Sequence, residues 1–202
     1  MAQLIKLLAV CSILALATAA QTEKVRNERV VVTEDHIAPG HRLILIGSPS
    51  VTVYLTAGKT EVAGKRRDVN AGDVEFPDAQ VRRIDNVGSS DVKVARIVFL
   101  GPGIEETWGA TGLSPNYKVL LENRFTRVYD IRIPAGTKEP QHTHHDRVVV
   151  CLSGAQLEHL MPDGRVEPST LATGEIAWRR GGTHIGHNLG KTDLWVIAVE
   201  PK

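Results

Sequence analysis

Gly136-Thr-Lys-Glu-Pro-Gln-His142-Thr-His144-His-Asp-Arg-Val-Val-Val-Cys-Leu-Ser-Gly154 decides how this chain reads. After the turn at Pro134-Ala135-Gly136 the stretch is polar as far as Asp146, then becomes the β-branched run Arg147–Leu152. His142 and His144 stand two residues apart. Side chains alternate faces along a strand, so these two imidazoles point to one side and His145 to the other. Two imidazoles projected in parallel begin a metal site, because neutral imidazole suits zinc, copper, iron and nickel. A second group, His184 and His187, follows Gly181-Gly182 and precedes Asn188, in what reads as a loop entering another strand. A hairpin returning beside the first strand would supply a third ligand and leave positions open for water or substrate.

The rest of the chain reads as all-β. Short β-rich runs recur at Arg42–Ile46, Val51–Leu55, Val92–Leu100, Thr126–Ile133, Arg147–Leu152 and Leu194–Val199. Turn signals such as Pro39-Gly40, Ala71-Gly72-Asp73, Pro102-Gly103 and Pro162-Asp163-Gly164 separate them, the pattern of a sandwich or barrel. One short helix is expected near Ile104–Trp108. It lies in the Gly/Pro-flanked linker, residues 101–116, that divides the chain into halves 21–100 and 117–202.

The halves resemble each other. Gly72-Asp-Val-Glu-Phe76 aligns with Gly174-Glu-Ile-Ala-Trp178; without a gap, Asn86 then meets Asn188, Gly88 meets Gly190 and Asp91 meets Asp193. Upstream, Val53–Ala57 aligns with Val150–Gly154, and after a one-residue shift Ala38-Pro39-Gly40 meets Pro134-Ala135-Gly136. The first half lacks the histidines of the second. Arg82 stands where His184 does, Asp85 where His187 does, and the region aligned with His142 and His144, around Ile46 to Ser48, has none.

Composition sets outer bounds. Lys6, the apolar stretch Leu7–Ala17 and the small residues Thr18-Ala19-Ala20 read as a signal peptide over residues 1–20, so the protein is expected to be secreted or periplasmic, with no stable membrane insertion once the leader is removed. The formal net charge of +1 offers no basic surface for nucleic acid. Cys151 alone remains beyond the leader, which excludes an internal disulfide. It is expected as a buried strand thiol whose parity turns it away from the His142/His144 face.

The two histidine stretches resemble the paired motifs of the cupin superfamily. The first motif is a glycine, five residues, His-x-His, a short gap, Glu, then Gly; here Gly136, His142 and His144 match in spacing. The second is met by Gly174-Glu-Ile-Ala-Trp-Arg-Arg-Gly-Gly182-Thr-His184-Ile-Gly-His-Asn188, where His184, three residues and Asn188 fit. Arg180 replaces the turn proline, and His184 falls one residue closer to Gly182 than in the pattern. The resemblance implies a double-stranded β-helix (jelly-roll) barrel, duplicated as two tandem barrels, which admits either internal pairing or a homodimer. It also implies a divalent ion (Fe, Zn, Mn, Ni or Cu) on His142, His144 and His184. The acidic ligand of the first motif is missing: Arg147, Val148 and Val149 occupy its place. Asp146, which parity puts on the face of His144, and Glu139 stand nearby as substitutes, and His187 is an alternative ligand. Arg147, Arg179 and Arg180 are candidates for binding a substrate carboxylate. The implied activity is that of a metal-dependent oxygenase, isomerase or lyase acting on a small organic acid or aromatic. A non-catalytic metal-binding or ligand-sensing module is the alternative, since no catalytic acid or base can be named.

Overall fold

A computed structural model describes residues 19–77, 81–106 and 114–202. Its first nine strands are β1 (Ala20–Arg26), β2 (Val30–Ile37), β3 (Arg42–Ile46), β4 (Ser50–Tyr54), β5 (Gly58–Val62), β6 (Lys65–Val69), β7 (Val74–Glu75), β8 (Val81–Asn86) and β9 (Val92–Phe99). The next nine are β10 (Tyr117–Glu122), β11 (Thr126–Ile133), β12 (His142–His144), β13 (Arg147–Ser153), β14 (Ala155–Leu160), β15 (Val166–Leu171), β16 (Ile176–Arg179), β17 (Gly182–Asn188) and β18 (Leu194–Pro201). Each set forms a five-stranded and a four-stranded antiparallel sheet, and the order is the same in both. β1-β2-β9-β4-β7 matches β10-β11-β18-β13-β16, and β3-β8-β5-β6 matches β12-β17-β14-β15.

The duplication extends to single hydrogen bonds. Asn188, fully buried, donates from Nδ2 to the carbonyls of Ile133 and Thr192 and accepts from the Gly190 amide. Asn86 does the same with Ile37, Ser90 and Gly88. Gly40 and Gly136 adopt φ of 75° and 70°, open to glycine at no steric cost. Their amides donate to the carbonyls of Asn86 and Asn188. The stretch from turn glycine to inner strand is one residue shorter in the first half. As a result Leu45, opposite Arg82, is the counterpart of His142, which lies opposite His184. The counterpart therefore falls one residue before the Ile46–Ser48 region expected from the repeat.

Three cores explain the near-continuous apolar runs. Leu194, Val196 and Ala198 of β18 face the interior of the second barrel together with Ile131, Val149 and Leu157. Ile197 and Val199 face the other way, into a core that also holds Val30, Val32, Val51, Val53 and Ala95 of the first half. The five-stranded sheets thus pack face to face, and their strands are apolar on both faces. Phe125 lies between Phe76 and Phe99 in this layer, with ring centroids 5.9 and 6.4 Å away. Burying each Val or Ile contributes roughly 1.5–3 kcal/mol before chain entropy is counted.

Ile104–Glu106 have no helical structure, and Thr107 and Trp108 of the expected helix lie outside the described residues. Residues 1–18 of the expected leader are also outside them. Ala20 opens β1 opposite His36.

Candidate metal centre

Cross-strand pairing assembles the centre. His142 on β12 lies directly opposite His184 on β17, and His144 lies opposite Gly182. The residues expected to form a loop are therefore strand, because Gly182–Asn188 pairs on both edges, with β12 and with β14. His142, His144 and His184 share the inward face and are only 3%, 7% and 8% exposed. One ring nitrogen from each lies within 4.8 Å of the other two.

Two carbonyls set the tautomers. His142 Nδ1 bonds Pro140 O at 3.0 Å and His144 Nδ1 bonds His145 O at 3.0 Å. A carbonyl only accepts, so both Nδ1 atoms carry the proton, and Nε2 is the nitrogen that each ring offers to a metal in its neutral form. His142 Nε2 receives the Tyr117 hydroxyl at 3.1 Å. His144 Nε2 is buried with no partner. Burial, reinforced by the Arg147 charge, lowers the His144 pKa to about 2; burial and the His159 ring lower that of His184 to about 3. Three clustered imidazoles, two of them held neutral by burial and one with an orphaned lone pair, fit a divalent cation.

The neighbouring groups distribute less simply. Glu139 is buried, accepts the Ser114 hydroxyl and places Oε2 4.0 Å from His142 Nε2. It stands beside the nitrogen cluster rather than in it, and burial raises its pKa. Asp146 does not share the face of His144. It accepts the Gly181 amide at 2.6 Å and faces Arg180, because the chain leaves one sheet after His144 and enters another at Arg147. Parity does not carry across that break. For the same reason Cys151 points into the second barrel's interior rather than away from it. His187 sits three residues from His184, on the other face of β17, and bonds Glu158 at 2.8 Å.

The centre opens onto a cavity of about 400 Å³. Arg147, Arg179 and Arg180 line it, with Val149, Leu157, Leu171, Leu194 and Val196 forming an apolar wall. Tyr117 and His159 are among the lining residues that the sequence reading did not single out. Tyr117 lies on edge strand β10 opposite Ile131, and only that register reveals its inward direction. His159 alternates with Leu157 and Met161, all three lining the cavity; that period was visible in the sequence. Its ring lies 4.5 Å from that of His184.

In the first barrel Arg82, at the place of His184, pairs with Glu75, as does Arg67, which also donates to the Tyr54 hydroxyl. An Arg–Glu–Arg cluster thus stands where the second barrel has its imidazoles.

No family model matches the chain, and neither does any curated protein. Solved structures do match it. A cupin 2 conserved barrel domain protein from Leptotrichia buccalis is 12% identical, with a TM-score of 0.60 over 91% of this chain and 89% of its own. Salicylate 1,2-dioxygenase from Pseudoaminobacter salicylatoxidans is 10% identical, with a TM-score of 0.59 over 85% of this chain and 68% of its own. Oxalate decarboxylase from Bacillus subtilis is 13% identical, with a TM-score of 0.57 over 90% of this chain and 72% of its own. The chain has the cupin fold.

Proposed function

We propose that this cupin-fold chain is an exported metal-dependent enzyme, an oxygenase, isomerase or lyase, whose second barrel acts on a small organic acid. The observation that carries the reading is the buried, unpartnered Nε2 of His144, directed at the ring nitrogens of His142 and His184. These three nitrogens would hold the ion. Bound there, a divalent metal supplies Lewis-acid polarisation, or oxygen chemistry if it is redox-active. The side chains around it do the rest. Pro140 O and His145 O keep two rings turned toward the ion. Glu139, its carboxyl pKa raised by burial, can hold a proton beside His142. The apolar wall excludes water from the bound acid.

Residues 21–100 serve as a ligand-free partner barrel and residues 117–202 as the metal-binding one. Their packed five-stranded sheets take the place of pairing between separate chains. Two fold relatives support an acid as substrate. One is a salicylate dioxygenase solved with gentisate, and the other is an oxalate decarboxylase with Mn(II) centres.

The test is elemental analysis of untagged protein purified from its own compartment, followed by turnover assays on carboxylic acids with and without oxygen. One bound ion per chain is expected, with turnover that His144→Ala abolishes. An affinity for no divalent ion would refute the metal reading. Metal-dependent stabilisation without turnover on any acid would favour a binding module.

A further inference from the structure

Arg147 is an unusual group to find on a cavity wall. Among the described residues no carboxylate comes within ion-pair distance of it, whereas the other two cavity arginines are paired, Arg179 with Glu175 and Arg180 with Asp146. Its Nη1 donates to the Tyr117 hydroxyl at 2.9 Å, and its Nε is buried with no partner. Register sets it directly opposite Arg179. Like charges facing each other across strands are destabilising, and Glu175 neutralises only one of the pair. A guanidinium cannot shed its proton, so a partly buried one with no carboxylate partner, whose Nε is out of reach of water, costs free energy until an anion arrives. The edge formed by Nε and Nη2 is a planar fork of the geometry that carboxylates take in two parallel hydrogen bonds.

The Tyr117 hydroxyl gives the scale of the site. Its oxygen lies 2.9 Å from Arg147 Nη1 and 3.1 Å from His142 Nε2, so a single atom spans the gap between guanidinium and imidazole cluster. The guanidinium therefore stands close beside the imidazoles, and a carboxylate on Arg147 suits a small acid whose second donor atom is near its carboxyl group. The wall of Val149, Leu157, Leu171, Leu194 and Val196 takes the remainder of the molecule.

We infer that the cavity binds a small carboxylic acid bearing an oxygen, nitrogen or sulfur on its α- or β-carbon and an apolar body, with the carboxylate clamped on Arg147. The position of the second donor atom rests on the metal reading above. The clamp itself is made of protein side chains and can be tested without metal.

Calorimetric titration of metal-stripped protein with mandelate, lactate and the uncharged mandelamide tests the clamp. Mandelate is expected to bind at least about tenfold more tightly than mandelamide, as a lost charge-assisted hydrogen-bond pair implies. Arg147→Gln should weaken mandelate by about tenfold to a hundredfold and leave mandelamide unchanged. Arg147→Lys, which keeps the charge without the fork, should recover only part of the loss. Equal binding of acid and amide, undiminished binding by the Gln variant, or binding of neither acid would overturn the inference. If the Gln variant does not fold, the Lys variant and the acid–amide contrast in the wild type decide. Zinc titration of the same proteins separates the two ideas. A clamp without zinc affinity refutes the metal reading alone, and zinc affinity without the acid–amide contrast refutes the clamp alone.

Discussion

Moving metal-free protein from pH 7 to pH 5 should destabilise it through two buried histidines, and the size follows from the structure. His144 and His184 are 7% and 8% exposed, so solvent screens them little. Their folded pKa values are lowered from 6.5 to about 2 and about 3, chiefly by desolvation. A base with a depressed folded pKa binds more protons when unfolded, so stability falls as pH drops below 6.5 and goes on falling until the folded values are reached. At pH 5 both rings are still neutral in the folded state, and the loss depends only on the unfolded pKa: roughly 2 kcal/mol for each ring, about 4 kcal/mol together. Glu139 acts in the opposite direction, since its raised pKa lets the folded state take up a proton first. A comparison of variants removes that contribution. Urea unfolding in chelator at the two pH values would be measured for the wild type and for the His144→Gln/His184→Gln double variant. The wild type should lose about 4 kcal/mol more than the variant. Zinc at a hundred times its Kd should add about 2.7 kcal/mol at pH 7 and less at pH 5, where protons compete for the ligands. Equal pH dependence in the two proteins would refute the claim that these rings are held neutral and buried.

Asn188→Ala and Asn86→Ala each remove three hydrogen bonds of a buried side chain and should each cost about 3 kcal/mol in urea unfolding; a loss below about 1 kcal/mol for either would show that the anchor is dispensable. Glu75→Gln takes the carboxylate from Arg67 and Arg82 and should destabilise the protein by about 1–3 kcal/mol, since Arg67 is partly solvated. Its zinc affinity should not change, because the centre is in the other barrel. Gly186→Ala would set a Cβ against Glu139 Oε2, forcing the carboxylate aside. Thermal melts should show a loss of about 1–3 kcal/mol, and an unchanged melting temperature would mean that Glu139 moves freely.

Much of the site was legible in sequence because it depends on short-range periodicity. The spacing of His142 and His144 put both on one face wherever the strand lay. The errors came from carrying that parity past its limit. Asp146 and Cys151 follow a point where the chain changes sheets, and the alternation is reset there. His187 was separable from His184 only once residues 182–188 proved to be strand, where an odd spacing reverses the face. The one-residue difference that makes Leu45 the counterpart of His142 is a matter of register, fixed by partners far along the chain.

The sequence by itself determined the all-β class, the duplicated halves and the three histidines, since each rests on local composition, spacing or internal similarity. Only the tertiary structure decided what surrounds them. Tyr117 comes from an edge strand, Arg147 from the strand after the sheet change and Glu139 from the loop before β12. Their meeting at one cavity is set by strand register and sheet packing, which no local pattern encodes. The structure changes the meaning of Arg147 most. In the sequence it marks a missing acidic ligand and is one of three candidate carboxylate binders; in the fold it is the one of the three on the cavity wall without a carboxylate partner among the described residues.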